Sequence, residues 1–175
     1  MRADSSFDAE FRRVFESRFP SLYRYVDRLT GDAALAADVA QETFIRLYRR
    51  GAMPEDVPGW LASVANNLVR DEHRRSARRL RLLAREALDP AVGDVRALPD
   101  AELVAQEQRR AVHAALDGMR ERERQLLLLR HEGYSYRELA VALGLTESSV
   151  GTLLARAKAA FRSAFEERHG ASARS

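Results

Sequence analysis

Apolar residues along this chain recur every third or fourth position and nowhere alternate every second position for long enough to make a strand. That periodicity restricts the fold class to all-α. The pattern breaks at length only once, over Ala87 to Gln108, where Pro90, Gly93 and Pro99 sit among alternating acids and read as a linker. Two small helical domains are therefore expected, residues 1–86 and 109–170, joined by an acidic linker over 87–108. A length of 175 residues fits that division, with each half near the size at which a core is only just sufficient. Runs such as Leu126 to Leu129 are far too short to cross a bilayer, and no basic-then-apolar leader occupies Met1 to Glu10, so a cytoplasmic chain without membrane insertion is expected. The absence of Cys removes disulfides and thiolate metal sites.

In the first piece, Phe7, Phe11, Val14 and Phe15 mark a helix expected to stop before Pro20, because the residue preceding proline avoids the helical region. Leu22, Tyr25, Val26 and Leu29 mark a second helix, closed by Gly31. Asp32 is a natural N-cap for a third, running to Arg50 with Ala36, Val39, Ala40, Thr43, Phe44, Leu47 and Tyr48 inward. Gly51 to Gly59, with Pro54 and Pro58, reads as a loop. A long helix follows, with Trp60, Leu61, Val64 and Leu68 inward.

Two faces exceed what a core requires. Asp38, Gln41, Glu42, Ile45 and Arg49 fall at helical offsets on the side of the third helix away from its apolar stripe. The simpler reading is a solvated face with one stray apolar residue. On the long helix, Asn66, Arg70, Arg74, Arg78, Arg81 and Arg85 form one stripe, and His73 to Arg85 holds six Arg and no acid. A solvated face normally mixes signs, so the stripe points to a polyanion, either a nucleic acid or an acidic protein surface. Of 29 basic residues 28 are Arg, which a GC-rich coding bias also produces. Such a bias does not place six of them together without an acid. The net charge of +3 divides into +3 for residues 1–86, −4 for 87–108 and +4 for 109–175.

In the second piece, Val112, Leu116 and Met119 mark one helix, and Leu126, Leu127 and Leu129 another that ends near Gly133. Ser135-Tyr136-Arg137-Glu138 fits a capping box, and the helix it opens stops at Gly144. Thr146 can cap the next helix, which buries Val150, Leu153 or Leu154, and Ala157. Two short helices joined by a Gly-containing turn, with small Ala140 at the crossing and Val150 locking the pair, are the helix-turn-helix pattern. A plain αα-hairpin is the alternative. The second helix of such a unit places its N-terminal turns against base edges, here Glu147, Ser148, Ser149, Gly151 and Thr152, with Arg156 and Lys158 further along.

Taken together, these residues make the chain resemble the bacterial RNA polymerase sigma factors of the extracytoplasmic-function group. Leu22-Tyr23-Arg24-Tyr25 through Gly31-Asp32, then Asp38-Val39-Ala40-Gln41-Glu42-Thr43-Phe44-Ile45-Arg46-Leu47-Tyr48, is similar to the family's core-polymerase-binding helix. Pro58-Gly59-Trp60-Leu61, Ala65-Asn66-Asn67-Leu68 and Asp71 to Arg79 resemble its minus-ten-binding region. Leu126 to Arg130, Gly133-Tyr134-Ser135-Tyr136, Glu138-Leu139-Ala140 and Leu143-Gly144-Leu145 resemble its minus-thirty-five-binding domain.

The resemblance implies roles. Asp38, Gln41, Glu42, Ile45 and Arg49 would dock on the clamp coiled coil of the polymerase's largest subunit, and the second domain on the flap of the second-largest subunit. Trp60, Asn66, Asn67, Arg70, Arg74, Arg75 and Arg78 would hold the minus-ten element and its opened strand, with the loop Gly51 to Val57 helping to capture a flipped base. Unstacking a base costs a few kcal/mol, to be recovered in a pocket and on a basic groove. Arg137 and Thr146 join Glu147, Ser148, Ser149, Gly151, Thr152, Arg156 and Lys158 at the minus-thirty-five element. An anti-sigma factor is a further candidate partner, and the acidic linker is suited to the polymerase's basic channels. The chain departs from the family where many relatives carry Gly-Thr-Val-Lys-Ser-Arg and it has Ser148-Ser149-Val150-Gly151-Thr152-Leu153.

The competing reading within DNA binding is a helix-turn-helix repressor or activator that is not a polymerase subunit, although such proteins usually bind as symmetric dimers and no heptad seam is evident. An enzyme is not expected, with no catalytic residues, cofactor or metal. His73, His113, His131 and His169 are scattered without ligand spacing, and no phosphate-binding glycine pattern or nucleophile constellation occurs.

Overall fold

The computed structural model describes residues 2–83 and 110–172, and every regular element among them is an α-helix. The elements are α1 (Arg2–Thr30), α2 (Ala33–Arg50), α3 (Val57–Leu83), α4 (residues 110–117), α5 (Glu121–His131), α6 (Tyr136–Leu143) and α7 (Glu147–Ser172). The expected linker over 87–108 and the last arginine of the stripe, Arg85, lie outside the described residues.

The expected break before Pro20 does not occur: α1 runs through it. An interior proline costs about 3 kcal/mol, and continuous packing outweighs that here. Phe15, Phe19, Leu22 and Val26 follow one another at steps of four, three and four, so a single stripe crosses the proline. Its upper part is an aromatic stack, with Phe15 and Phe19 ring centroids 4.9 Å apart and 5.0 and 5.7 Å from Phe44 of α2. Its lower part, Leu22, Tyr25, Val26 and Leu29, is buried. Two helices here would each have covered only half of α2.

The remaining boundaries follow local chemistry. Asp32 caps α2, its Oδ1 accepting from the Leu35 N–H at 3.0 Å, and Gly51 ends the helix in the left-handed region at φ 69°. Asp56 caps α3, its Oδ1 accepting from the Gly59 N–H at 2.8 Å. Ser135 and Glu138 form both bonds of the capping box at the start of α6. The axes of α6 and of α7 through Glu167 make an angle of 89°, within the range of helix-turn-helix pairs. Leu139, Ala140, Val150, Leu154 and Ala157 are buried between them, which settles the Leu153-or-Leu154 alternative for Leu154.

The two halves share one contiguous apolar core. Helix α6 lies across the start of α3, where Gly59 meets Val141, and α5 lies against α1. Glu132, at the end of α5, has a side chain only 3% exposed and is held by Arg24 and Arg28 of α1. Tyr134 is buried among Arg18, Glu132, Glu138 and Asp56.

Candidate nucleic-acid interface

Helix α2 presents its apolar stripe to the core and a second face to solvent. Asp38, Gln41 and Arg49 are exposed, and Glu42 and Ile45 half-buried, with Glu42 accepting from Arg46 Nε at 2.8 Å. Ile45 is no stray residue. Together with Gln41, Arg49 and the rings of Phe11, Phe15 and Tyr48, it lines a cleft of about 530 Å³. Phe15 and Tyr48 are 39% and 53% exposed, so Tyr48 is not the inward residue the helical spacing indicated. It packs against Phe11 at 5.1 Å, on the flank of the core. The result is an apolar slot rimmed by polar groups, a shape that receives an apolar side chain from a partner helix.

Helix α3 carries the cationic stripe. Asn67, Arg70, Arg74, Arg75 and Arg78 are exposed, as are Arg79 and Arg81. Arg74 and Arg75 lie 3.9 and 3.8 Å from Asp71 and Glu72, exposed pairs of little energetic weight that leave the guanidinium groups available to a stronger anion. Trp60 is half-buried beneath the guanidinium of Arg50, 5.9 Å from the ring centroid.

Asn66 corrects the sequence reading. It is 4% exposed, because Ala62, Ala65, Asn66 and Val69 make up the inward face of α3, and its Oδ1 accepts from the Tyr25 hydroxyl at 2.5 Å. Its Nδ2 has no partner. In this arrangement Asn66 cannot touch DNA. Burial pushes the Tyr25 phenol well above its usual pKa, reinforced by Tyr134 and opposed by the bond to Asn66.

On the helix-turn-helix, Thr146, Glu147, Ser148, Thr152 and Arg156 are exposed. Ser149 is half-buried, and its Oγ donates to the Thr146 carbonyl at 2.7 Å. Gly151 is half-buried beside Tyr136; a Cβ there would sit 3.6 Å from the ring, an ordinary contact. Two residues of the expected set stand elsewhere. Lys158 lines a cleft of about 850 Å³ with Asp27, His113, Leu127 and Phe161, on the side of α7 that faces α1 and α4. Arg137 reaches across to Glu55 at 2.7 Å. Among the described residues no group of three His, Cys, Asp or Glu could hold a metal ion.

Comparison with known proteins decides between the two DNA-binding readings. The sequence profile of Sigma-70 region 2 matches residues 14–79, and that of Sigma-70 region 4 matches residues 109–161. The ECF RNA polymerase sigma factor SigL of Mycobacterium tuberculosis is 32% identical over 164 residues, which cover 91% of this chain and 90% of the relative. The chain belongs to the ECF RNA polymerase sigma factors. BldN of Streptomyces coelicolor, another ECF sigma factor, is 30% identical over 161 residues, but this chain spans only 60% of its length. Two solved structures share the fold. The sigma factor RpoE of Bartonella quintana, in complex with the anti-sigma factor NepR, gives a TM-score of 0.65 at 16% identity, covering 90% of this chain and 97% of that one. CnrH, in complex with the cytosolic domain of CnrY, gives 0.66 at 19%, covering 95% and 94%.

In this sigma factor the structure brings Asp38, Gln41, Glu42, Ile45 and Arg49 onto one face, and Arg70, Arg74, Arg75 and Arg78 onto another. It separates Asn66 and Lys158 from their expected neighbours. Helical spacing assigns Phe15 and Tyr48 to the apolar stripes of their helices, and only the packing leaves them partly exposed beside Ile45. The contacts between the halves had no sequence signal beyond isolated charges such as Glu132.

Proposed function

We propose that this sigma factor binds core RNA polymerase and directs promoter recognition, melting and initiation. The observation that carries the reading is the exposure, on one helical frame, of an apolar slot with a polar rim, an acid-poor guanidinium stripe and a helix-turn-helix. A repressor needs the last of these and has no use for the first. The slot around Ile45, with Asp38, Gln41, Glu42 and Arg49, takes the clamp coiled coil of the largest subunit. The second half takes the flap of the second-largest subunit.

Arg70, Arg74, Arg75 and Arg78, with Asn67 and Trp60, grip the minus-ten element and its displaced strand through phosphates and base faces. Glu147, Ser148, Ser149 and Thr152 read minus-thirty-five base edges, where each good bidentate contact discriminates by about 1–3 kcal/mol, and Arg137 and Arg156 take phosphates. Sigma factors are not enzymes. Melting is driven by capture of unstacked bases, with no catalytic group. No single described helix is long and apolar enough to cross a membrane, and a role in initiation places the chain in the cytoplasm with the polymerase and the promoter.

The domains proposed are 1–86 and 109–170. An anti-sigma factor, the kind of partner bound to RpoE, is a further proposed partner. Run-off transcription with purified core polymerase and a promoter library tests the reading. Specific initiation dependent on this chain is expected, and folded protein that directs none overturns it.

A further inference from the structure

Lys158, the one lysine among 29 basic residues, stands away from the other candidate DNA contacts, in a cleft of about 850 Å³. The cleft opens between the last turn of α1 and the helices α4, α5 and α7, and its volume is that of a small-molecule site. Its floor is apolar, made by Val112 and Leu116 of α4, Leu127 and Leu128 of α5, and Phe161 of α7. Val112 is 37% exposed, and Leu127 and Phe161 are half-buried, so the chain's own packing covers this floor only in part.

The rim is cationic. Arg28, Arg130 and Lys158 stand against a single acid, Asp27, and His113 and His131 add ring N–H donors. The two arginines are already engaged, Arg28 by Glu132, and Arg130 by the Tyr134 carbonyl at 2.9 Å and the Tyr136 ring at 5.6 Å. The side chains of Lys158, His113 and His131 have no hydrogen-bond or ion-pair partner among the described residues, and Asp27 pairs with none of them. Lysine carries a compact ammonium on a flexible apolar stem, so Lys158 can lie along the floor while its charge stays at the rim.

Unpaired donors above an uncovered apolar floor match one ligand chemistry, an aliphatic tail that ends in an anion. A nucleic acid would leave the floor unfilled, and an uncharged lipid would leave the donors unmatched. We propose that this cleft binds a free long-chain carboxylate, its tail against Val112, Leu127 and Phe161 and its carboxylate on Lys158, His113 and His131. The ammonium of Lys158 supplies a charge-assisted hydrogen bond, about twice as strong as a neutral one. This site is independent of promoter binding, and its test needs neither DNA nor polymerase.

The test is isothermal titration calorimetry of the full chain with octanoate, decanoate and dodecanoate, each below the concentration at which it forms micelles. A single saturable site is expected, tightening by about 4-fold for each added methylene as the tail covers the floor. Acetate, which has no tail, and dodecyltrimethylammonium, which has the wrong charge, should not occupy it. Lys158→Glu reverses the charge at an exposed position of the rim, and Val112→Asp places an acid on a part of the floor that lies outside the buried core. Each is expected to weaken dodecanoate binding by about 10-fold or more, with the circular dichroism of the wild-type chain retained. Dodecanoate should also raise the Tm of the wild-type chain and leave that of Lys158→Glu unchanged. Uptake of many equivalents, affinity indifferent to tail length, or binding unchanged by Lys158→Glu overturns the proposal. Recruitment to phosphatidylglycerol vesicles without binding of monomeric carboxylate overturns it as well, since the ligand would then be a membrane surface.

Discussion

The first half of this sigma factor offers its partners side-chain chemistry, and the second half offers backbone geometry. On α2 and α3 the exposed surface is an apolar slot around Ile45 and a run of guanidinium groups from Arg70 to Arg81. The first two turns of α7 expose only Glu147, Ser148 and Thr152 and hold no cation. What makes that half a reading head is the capping box at Ser135, the left-handed turn at Gly144 and the 89° angle that follows. Affinity of the first kind is electrostatic and salt-sensitive, while that of the second depends on holding small polar groups at base-edge distance. A chain built this way gains grip from one half and register from the other.

The sharpest way to break the comparison is Ile45→Arg. Ile45 lines the slot without belonging to the buried core, so the fold should tolerate the change while a charge blocks the cavity. A loss of about 2–4 kcal/mol in binding to core polymerase is expected, the scale of a central apolar anchor. Affinity capture of core with the variant measures it. Unchanged core binding would remove the slot from the interface.

Tyr25→Phe comes next and addresses the packing of α1 on α3 inside the first half. The substitution strips Asn66 Oδ1 of its one donor while its Nδ2 already lacks a partner, leaving a wholly unpaired amide in the core. A destabilisation of about 1–3 kcal/mol is expected from chemical denaturation. The phenol also sets a pH dependence. Burial raises the folded-state pKa of Tyr25 above its ordinary 10.0, and burial likewise raises that of Tyr134. A raised acid is bound to its proton more tightly in the folded state, so the protonated phenols favour folding below pH 10 and that stability is lost as pH climbs above it. The denaturation midpoint should therefore hold to about pH 10 and fall above it, less steeply in the Tyr25→Phe variant.

Arg74→Ala combined with Arg78→Ala tests the electrostatic half directly. The slope of log affinity against log salt should flatten by about 0.7–0.9 for each phosphate that is no longer neutralised. Ser148→Ala should leave that slope alone and change preference among promoter sequences. If both variants flatten the slope equally, the division between grip and register is wrong.

Sequence alone carried the frame of this molecule because its determinants are local. Asp32, Gly51, Ser135, Glu138 and Gly144 each act within one helical turn, and each appears where its residue type implied. Pro20 shows where a local rule loses. The apolar stripe runs unbroken from Phe7 to Leu29, and packing against α2 overrides a preference worth about 3 kcal/mol. Asn66 shows a different limit. Its spacing does place it in line with Arg70 and Arg74, but a helix face is broad. Only the arrival of Tyr25 from α1 determines that position 66 belongs to the core and 70 to solvent. The pairing of Arg137 with Glu55 spans 82 residues, and no periodicity encodes a contact at that separation.

Gly151 gives the smallest effect, with opposite signs in the two readouts. It lies inside α7 with no positive φ to require a glycine, and a Cβ there would meet Tyr136 Cε2 at 3.6 Å, a comfortable contact. Nothing within the fold calls for glycine at this position, and glycine inside a helix costs about 1 kcal/mol relative to alanine. Gly151→Ala should therefore stabilise the chain by roughly that amount, measured as a rise of a few degrees in Tm. If the open position serves the approach of the α7 backbone to DNA, the same variant should initiate less well from promoters that depend on a minus-thirty-five element and equally well from those that do not. A variant that is both more stable and fully active on minus-thirty-five-dependent promoters would show that α7 reads DNA through Ser148, Thr152 and their neighbours alone, and that the geometry of the second half ends at its side chains.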